Sequence, residues 1–256
     1  MIHLSQSRSS IIFEQEGDSL AIIYWGKKLG QIDKQGALAI KSALTKPAFH
    51  GGLDVASGNL VLREHSRGWI GHPALRGHRS GKGATNSFSI KKIDQKDQTL
   101  FVTFEDLIAG LEIEMSYSLN ASDVLLVDAT ITNTAEGDYY LEHFLYWLPL
   151  AEQADQVLDF YGHWTKERQP QRRDIGYGLT TREGFEGRSG HDYTITQVAL
   201  NHATGFRHGE AWSLAMAWSG NNIHHVEHLI DGHKSIGAGE YLLPGEVILK
   251  KGQSYS

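Results

Sequence analysis

Polar and apolar residues alternate strictly from Leu111 to Leu119. Leu111, Ile113, Met115, Tyr117 and Leu119 fall on one side, and Glu112, Glu114, Ser116 and Ser118 on the other. Successive side chains of an extended chain point to opposite faces, so this pattern predicts a half-buried β-strand. Leu125, Val127, Ala129 and Ile131 repeat it after the turn Asn120-Ala121-Ser122-Asp123, and Leu100, Val102 and Phe104 precede it. Three consecutive antiparallel strands are predicted. A fourth is predicted where Trp212, Leu214, Met216 and Trp218 share a face. Its other face, Ala211, Ser213, Ala215 and Ala217, is small enough for a second sheet to pack closely there. Shorter strands are predicted near residues 11–15, 20–25, 87–93, 139–148, 196–201 and 246–249. No window carries a helical stripe with caps. The pattern is that of an all-β sandwich, one domain over residues 1–256, with little or no helix.

Two stretches break the alternation, residues 49–85 and 162–193, both rich in polar and aromatic side chains. Irregular segments of that length inside a compact domain usually serve function. Composition agrees with a β protein: 28 glycines against five prolines, with ten tyrosines and six tryptophans, suit strands joined by tight turns. A formal net charge of −6 leaves no basic surplus for phosphates, which argues against a nucleic-acid partner. With no cysteine, disulfides, thiolate metal sites and thiol catalysis are excluded. No apolar run approaches the ~20 residues of a membrane span, and the N-terminus lacks a signal-peptide pattern, so a cytoplasmic location with no membrane partner is predicted.

Several motifs compete for attention. His224-His225-Val226-Glu227-His228 matches a zinc-hydrolase pattern, H-x-x-E-H, which needs a helix to bring its ligands to one face. Apolar residues and a Gly-Asn-Asn turn around it predict a strand instead, with His224 and Val226 on one face and His225 and Glu227 on the other; no metal is expected. Gly77-His78-Arg79-Ser80-Gly81-Lys82-Gly83 is one residue short of a phosphate loop and lacks its Ser or Thr. Asn120-Ala121-Ser122 reads as a hairpin turn. His72, His78, His163 and His191 lie in the two irregular stretches beside Arg, Trp and Tyr, the groups that bond and stack on sugars; loop anchoring explains each one equally well. Glu64, Asp159, Glu167 and Glu186 are candidate acids or bases that spacing alone does not pair, and Glu167-Arg168 reads as a charged pair holding a loop.

From Phe160 onward the chain resembles a known family. Phe160-Tyr161-Gly162-His163-Trp164-Thr165-Lys166-Glu167-Arg168 is similar to a segment F-x-G-x-W-x-x-E-R, and Gly187-Arg188-Ser189-Gly190-His191 to a turn G-R-[ST]-x-H. Gly209-Glu210-Ala211-Trp212 with Ala217-Trp218-Ser219-Gly220-Asn221 resembles G-E-x-W…W-S-G-N. Leu243-Pro244-Gly245-Glu246-Val247 and Gly252-Gln253-Ser254-Tyr255-Ser256 resemble L-P-G-E-V…G-E-S-Y-S. A weaker match runs from Gly68 to Arg79, with His72 where an arginine is usual; the Asp-Phe-Arg seen in other branches is absent. Together these resemble the N-terminal domain of melibiase-type α-galactosidases, glycoside hydrolase family 36.

That resemblance implies a large antiparallel β-supersandwich ahead of a (β/α)₈ barrel whose two aspartates cleave terminal α-galactosides with retention. Both would lie beyond Ser256, leaving no catalytic residue here and requiring no cofactor. The implied partners are an α-galactoside oligosaccharide, the chain's own barrel and, through homo-oligomer contacts, further copies. Carried over by position, Trp69, His72, His78 and Arg79 would form a pocket rim. Trp164, Glu167, Arg168, His191, Trp218 and Asn221 would be motif residues with structural roles. Two rival readings stand beside this one: a free-standing galactose-binding module, and an aldose 1-epimerase-like enzyme using His and Glu as acid and base.

Overall fold

The computed structural model describes residues 1–46, 58–192 and 195–256. It is mostly β, 52% strand against 6% helix, which bears out the expected class at that level. Two compact units form. The first comprises Met1–Trp69, Pro73–Glu142 and Pro244–Ser256; the second comprises Ile70–His72 and His143–Leu243.

In the first unit, β1 (Ile2–Ser5), β2 (Ser9–Glu16) and β3 (Ser19–Lys27) make an antiparallel meander, followed by a helix, α1 (Lys34–Leu44). After the short strand β4 (Leu75–His78) come β5 (Ser89–Lys96), β6 (Thr99–Asp106), β7 (Leu111–Leu119) and β8 (Leu125–Asn133), hydrogen-bonded in sequence order. The alternation read from sequence is observed here: Leu111, Ile113, Met115, Tyr117 and Leu119 are all buried, and Tyr117 meets Phe13 edge-on at 4.9 Å. The turn 120–123 is a tight connection, with Asn120 Oδ1 accepting from the Ser122 and Val124 N–H groups.

Strand β9 (Tyr139–Pro149) contributes its first half to this unit and its second half to the other. The second unit continues with β10 (Gln156–His163), β11 (Lys166–Asp174), β12 (Gly178–Gly184), β13 (Thr196–Leu200), β14 (Ala211–Ala215), β15 (Asn222–His228) and β16 (Lys234–Glu240). One of its sheets runs β11-β10-β13-β14, the other β12-β15-β16-β9. The chain returns to the first unit with β17 (Val247–Leu249), paired to Tyr139–Leu141, and β18 (Ser254–Tyr255), paired to β8.

Three expectations need correction. Helix α1 exists: Asp33 Oδ1 accepts from the Gly36 N–H at 2.7 Å, capping its first turn. It was invisible because only Ala37 is buried, packing with Ile32 and Ile40 against Ile12, Ala21 and Ile23, too narrow a stripe to show a helical period. The stretch 162–193 is not irregular, since it contains β11 and β12. Strand β11, Lys-Glu-Arg-Gln-Pro-Gln-Arg-Arg-Asp, sits at a sheet edge where charge and proline discourage further pairing, and so has no apolar alternation. Finally, the small face of β14 is open: Ala211, Ser213 and Ala215 are exposed, so no second sheet packs on it among the described residues. Part of the stretch 49–85 lies outside the described residues. Its remainder holds a 3₁₀ turn (His65–Arg67) and β4.

Candidate functional site

Three of the matched segments, 160–168, 187–191 and 217–221, are linked loops of the second unit, whereas Pro244–Ser256 belongs to the first. Strands β10 and β11 meet in a two-residue hairpin, with His163 opposite Lys166, so Trp164 sits at its tip, 74% exposed. A bulge at Gly162 aims that tip, and only glycine fits there, since a Cβ would run into the Lys166 carbonyl oxygen. Two non-glycine residues of the hairpin are left-handed, Thr165 at φ +67° and Arg168 at φ +50°. Such backbone is uncommon, costs energy and persists only where its surroundings enforce it. The His163 Nδ1–H donates to the Trp164 carbonyl at 2.7 Å, and the Glu167 carboxylate accepts from the Thr165 N–H at 2.8 Å.

The loop after β12 reaches this tip through His191, whose ring meets Trp164 edge-on at 5.8 Å and whose Nδ1 lies 4.0 Å from Glu167 Oε1. Glu167 is held below the usual carboxylate range, first by its own and the Thr165 backbone N–H groups, with His191 and His163 adding to the effect. Its partners are therefore Thr165 and His191 and not, as spacing suggested, Arg168. The same loop is tied to the next one: the Gly187 N–H donates to Asn221 Oδ1 at 2.7 Å. Trp218, 48% exposed, folds its indole N–H over Gly220, where a Cβ would have to push the indole aside. Strand β16 ends alongside, with the Tyr241 N–H donating to the Asn221 carbonyl and its ring meeting Phe185 at 4.5 Å. Trp164, Glu167 and His191 thus meet, and the loop that carries His191 is tied in turn to the loop of Trp218 and Asn221. Sequence order alone could not show this, since 57 positions separate Trp164 from Asn221.

The four rim candidates are placed differently. Trp69, in the first unit, is buried at 3% exposure beneath the Arg63 guanidinium, 4.3 Å from its ring. Arg79 turns inward, donating to the carbonyls of Ala109, Gly110 and Gly137 and to Asn133 Oδ1. His78 stacks on Tyr140 at 5.1 Å, accepts from the Gly81 N–H at Nδ1 and lies 3.8 Å from Glu142. His72 belongs to the second unit.

Instead, His72 caps a cluster that sequence reasoning missed. Across the sheet β12-β15-β16-β9 one row runs Thr181, His225, Gly237, Trp147. Because Gly237 has no side chain, the Trp147 ring lies over it and stacks on His225 at 5.8 Å. His72 packs on His225 at 5.0 Å and on His143 at 5.2 Å, while its backbone N–H donates to Glu227 Oε1 at 2.7 Å. Burial pushes His225 down to about 3, with His72 and His224 adding to it, and His224 down to about 4. The available signal was Ile236-Gly237-Ala238-Gly239, glycines inside a strand, which mark a close approach. The motif His224–His228 lies on β15 as expected, His224 and Val226 facing away from His225 and Glu227.

In class, then, this is an antiparallel β protein, three of whose recognisable motifs are loops that present aromatic and hydrogen-bonding groups. The chain belongs to the Glycosyl hydrolase family 36 N-terminal domain family, whose model matches residues 18–250. An α-galactosidase of Escherichia coli is 30% identical over 251 residues, covering 98% of this chain and 35% of that protein. One from Lactobacillus acidophilus is 30% identical over 164 residues, 62% of this chain and 22% of that one. In fold, the α-galactosidase AgaA of Geobacillus stearothermophilus matches with a TM-score of 0.85 at 17% identity, covering 99% of this chain and 39% of that one. The chain spans about a third of the length of these relatives.

Proposed function

We propose that this chain is the non-catalytic N-terminal part of an α-galactosidase that hydrolyses terminal α-galactosyl groups of small oligosaccharides in the cytoplasm. Its task is to brace the following barrel in a β-supersandwich arrangement, to supply surface for a homo-oligomer and to shape the rim of the pocket. On this reading Trp69 and Arg79 act from inside, fixing the loops of the first unit, whereas His78 and His72 carry more exposed edges. The observation that supports it is the division of chemistry: Trp164 and Trp218 of the family motifs are exposed at 74% and 48%, while the ionisable group around His225 and Glu227 is sealed at 2% and 4% exposure. Acid–base catalysis needs reach to a substrate proton, which a sealed pair lacks. The purified 256-residue chain should release no nitrophenol from nitrophenyl α-galactoside above the buffer blank. Measurable turnover would overturn the reading.

The convergence of His72, His143, His225 and Glu227 is what an aldose 1-epimerase-like enzyme would require, so that alternative has a direct test. Polarimetry of freshly dissolved α-galactose with the chain should follow the spontaneous rate. Acceleration that disappears in His72→Ala would favour the epimerase reading instead.

A further inference from the structure

Resting on the reading of a non-catalytic α-galactosidase domain, we propose that Trp164, with His191 and Glu167, is a stacking platform for one pyranose ring of an α-galactosyl oligosaccharide. Galactopyranose offers a face of C–H bonds and a rim of hydroxyls. An indole face suits the first, and imidazole and carboxylate suit the second.

The platform has both parts. Trp164 is 74% exposed, against 48% for Trp218, and among the described residues its one ring contact is edge-on, to His191. His191 and Glu167 stand beside it within 4.0 Å of each other, so one hydroxyl can donate to the carboxylate while a neighbouring one bonds the imidazole.

The backbone is pre-set. Gly162 removes the side chain that would block the bulge, and Thr165 and Arg168 are held left-handed by the hairpin closure and by the Thr165 N–H bond to Glu167. An exposed tryptophan with no task needs no such enforcement. Rigid presentation lowers the entropy lost on binding, which matters most for a weak, single-ring contact. A docking surface for protein would use the same indole, but it would not call for a carboxylate and an imidazole poised at its margin.

Isothermal titration of the 256-residue chain with raffinose should give a saturable isotherm in the millimolar range, accompanied by a change in tryptophan emission. Trp164→Ala should weaken it at least about ten-fold, His191→Ala about three- to ten-fold, and Trp164→Phe should restore part of the affinity. Phe101→Ala, at an exposed aromatic of the first unit, should leave it unchanged. No saturable heat from the folded wild-type chain would overturn the site, and is the result expected of a surface reserved for protein packing. An isotherm that Trp164→Ala leaves intact would overturn it equally. Raffinose hydrolysis, followed in the same samples, judges the non-catalytic reading separately: a chain that binds and cleaves sinks that reading alone, and one that does neither sinks the platform alone.

Discussion

A buried imidazole resists protonation, and β15 holds two of them in sequence. His224 and His225 are pushed by burial to about 4 and about 3, below the ordinary 6.5. Below pH ~6.5 the unfolded chain takes up protons that the folded chain refuses, so this contribution to stability is intact at neutral pH and is lost as pH falls toward 4. The drop between pH ~6.5 and ~4.5 should be on the order of a few kcal/mol, read from urea midpoints, and His225→Asn should shrink it. Glu64 bends the curve the other way. Burial raises its carboxyl to about 7, although the Phe88 N–H and Arg67 both favour the anion. A raised acid is most stable in the fold while protonated, so its contribution is present below ~4.5 and lost as pH rises through 7. Between pH ~7 and ~4.5 Glu64 therefore offsets part of the loss caused by the histidines, and Glu64→Gln should make the fall in stability across that window steeper; an unaltered slope would show that the Glu64 carboxyl is not raised in the fold. At the same scale, a methyl at Gly237 would lie 2.6 Å from the Trp147 ring, and Gly237→Ala should cost about 1–3 kcal/mol in urea denaturation.

Elements were legible in the sequence where one face is buried and the other wet. Strands β6, β7 and β8 announce themselves because Val102, Ile113 and Ile131 alternate with residues that reach solvent. Strand β11 does not, because its pairing is carried by backbone bonds to β10 while its side chains serve an edge. Helix α1 does not, because one buried alanine leaves no period to detect. The candidate site was half legible: the motif residues could be named from their order, but Trp164 against His191 and Gly187 against Asn221 are meetings that strand pairing creates. The row through Gly237 is equally non-local. A test at this scale is the hairpin itself. Gly162→Ala should collide with the Lys166 carbonyl, lose the bulge and destabilise the β10–β11 hairpin by about 1–3 kcal/mol. Hydrogen exchange should speed up at Tyr161–Gln169 while β15 and β16 keep their protection. If the bulge survives the methyl, exchange at those positions will match wild type.

At the scale of the whole molecule, the two units are not two stretches of chain. The first is closed only when Pro244–Ser256 returns after the entire second unit has been made. That return is more than a tail. Strand β17 pairs with Tyr139–Leu141, β18 pairs with Ile131 and Thr132, and the wholly buried Asn133 is satisfied largely by it. The Asn133 side chain donates to the Leu249 carbonyl at 2.8 Å, its backbone N–H to the Gln253 carbonyl, and the Gly252 N–H donates to its own carbonyl. Asn133 Oδ1 also receives Arg79, which in turn holds the Ala109 and Gly110 carbonyls, so one residue links the returning segment to the β6–β7 turn. Removing residues 244–256 would leave buried polar groups without partners, each worth about 1–3 kcal/mol when stranded. The truncated chain should lose exchange protection in β8 and in Tyr139–Leu141 throughout, and more modestly around Ala109–Gly110, while the second-unit strands β12, β15 and β16 stay protected. Asn133→Ala in the intact chain should reproduce the first part of that pattern with the tail still present. Uniform loss across both units would mean that they fold only as one. Unchanged protection in β8 would mean that the returning segment is ornamental.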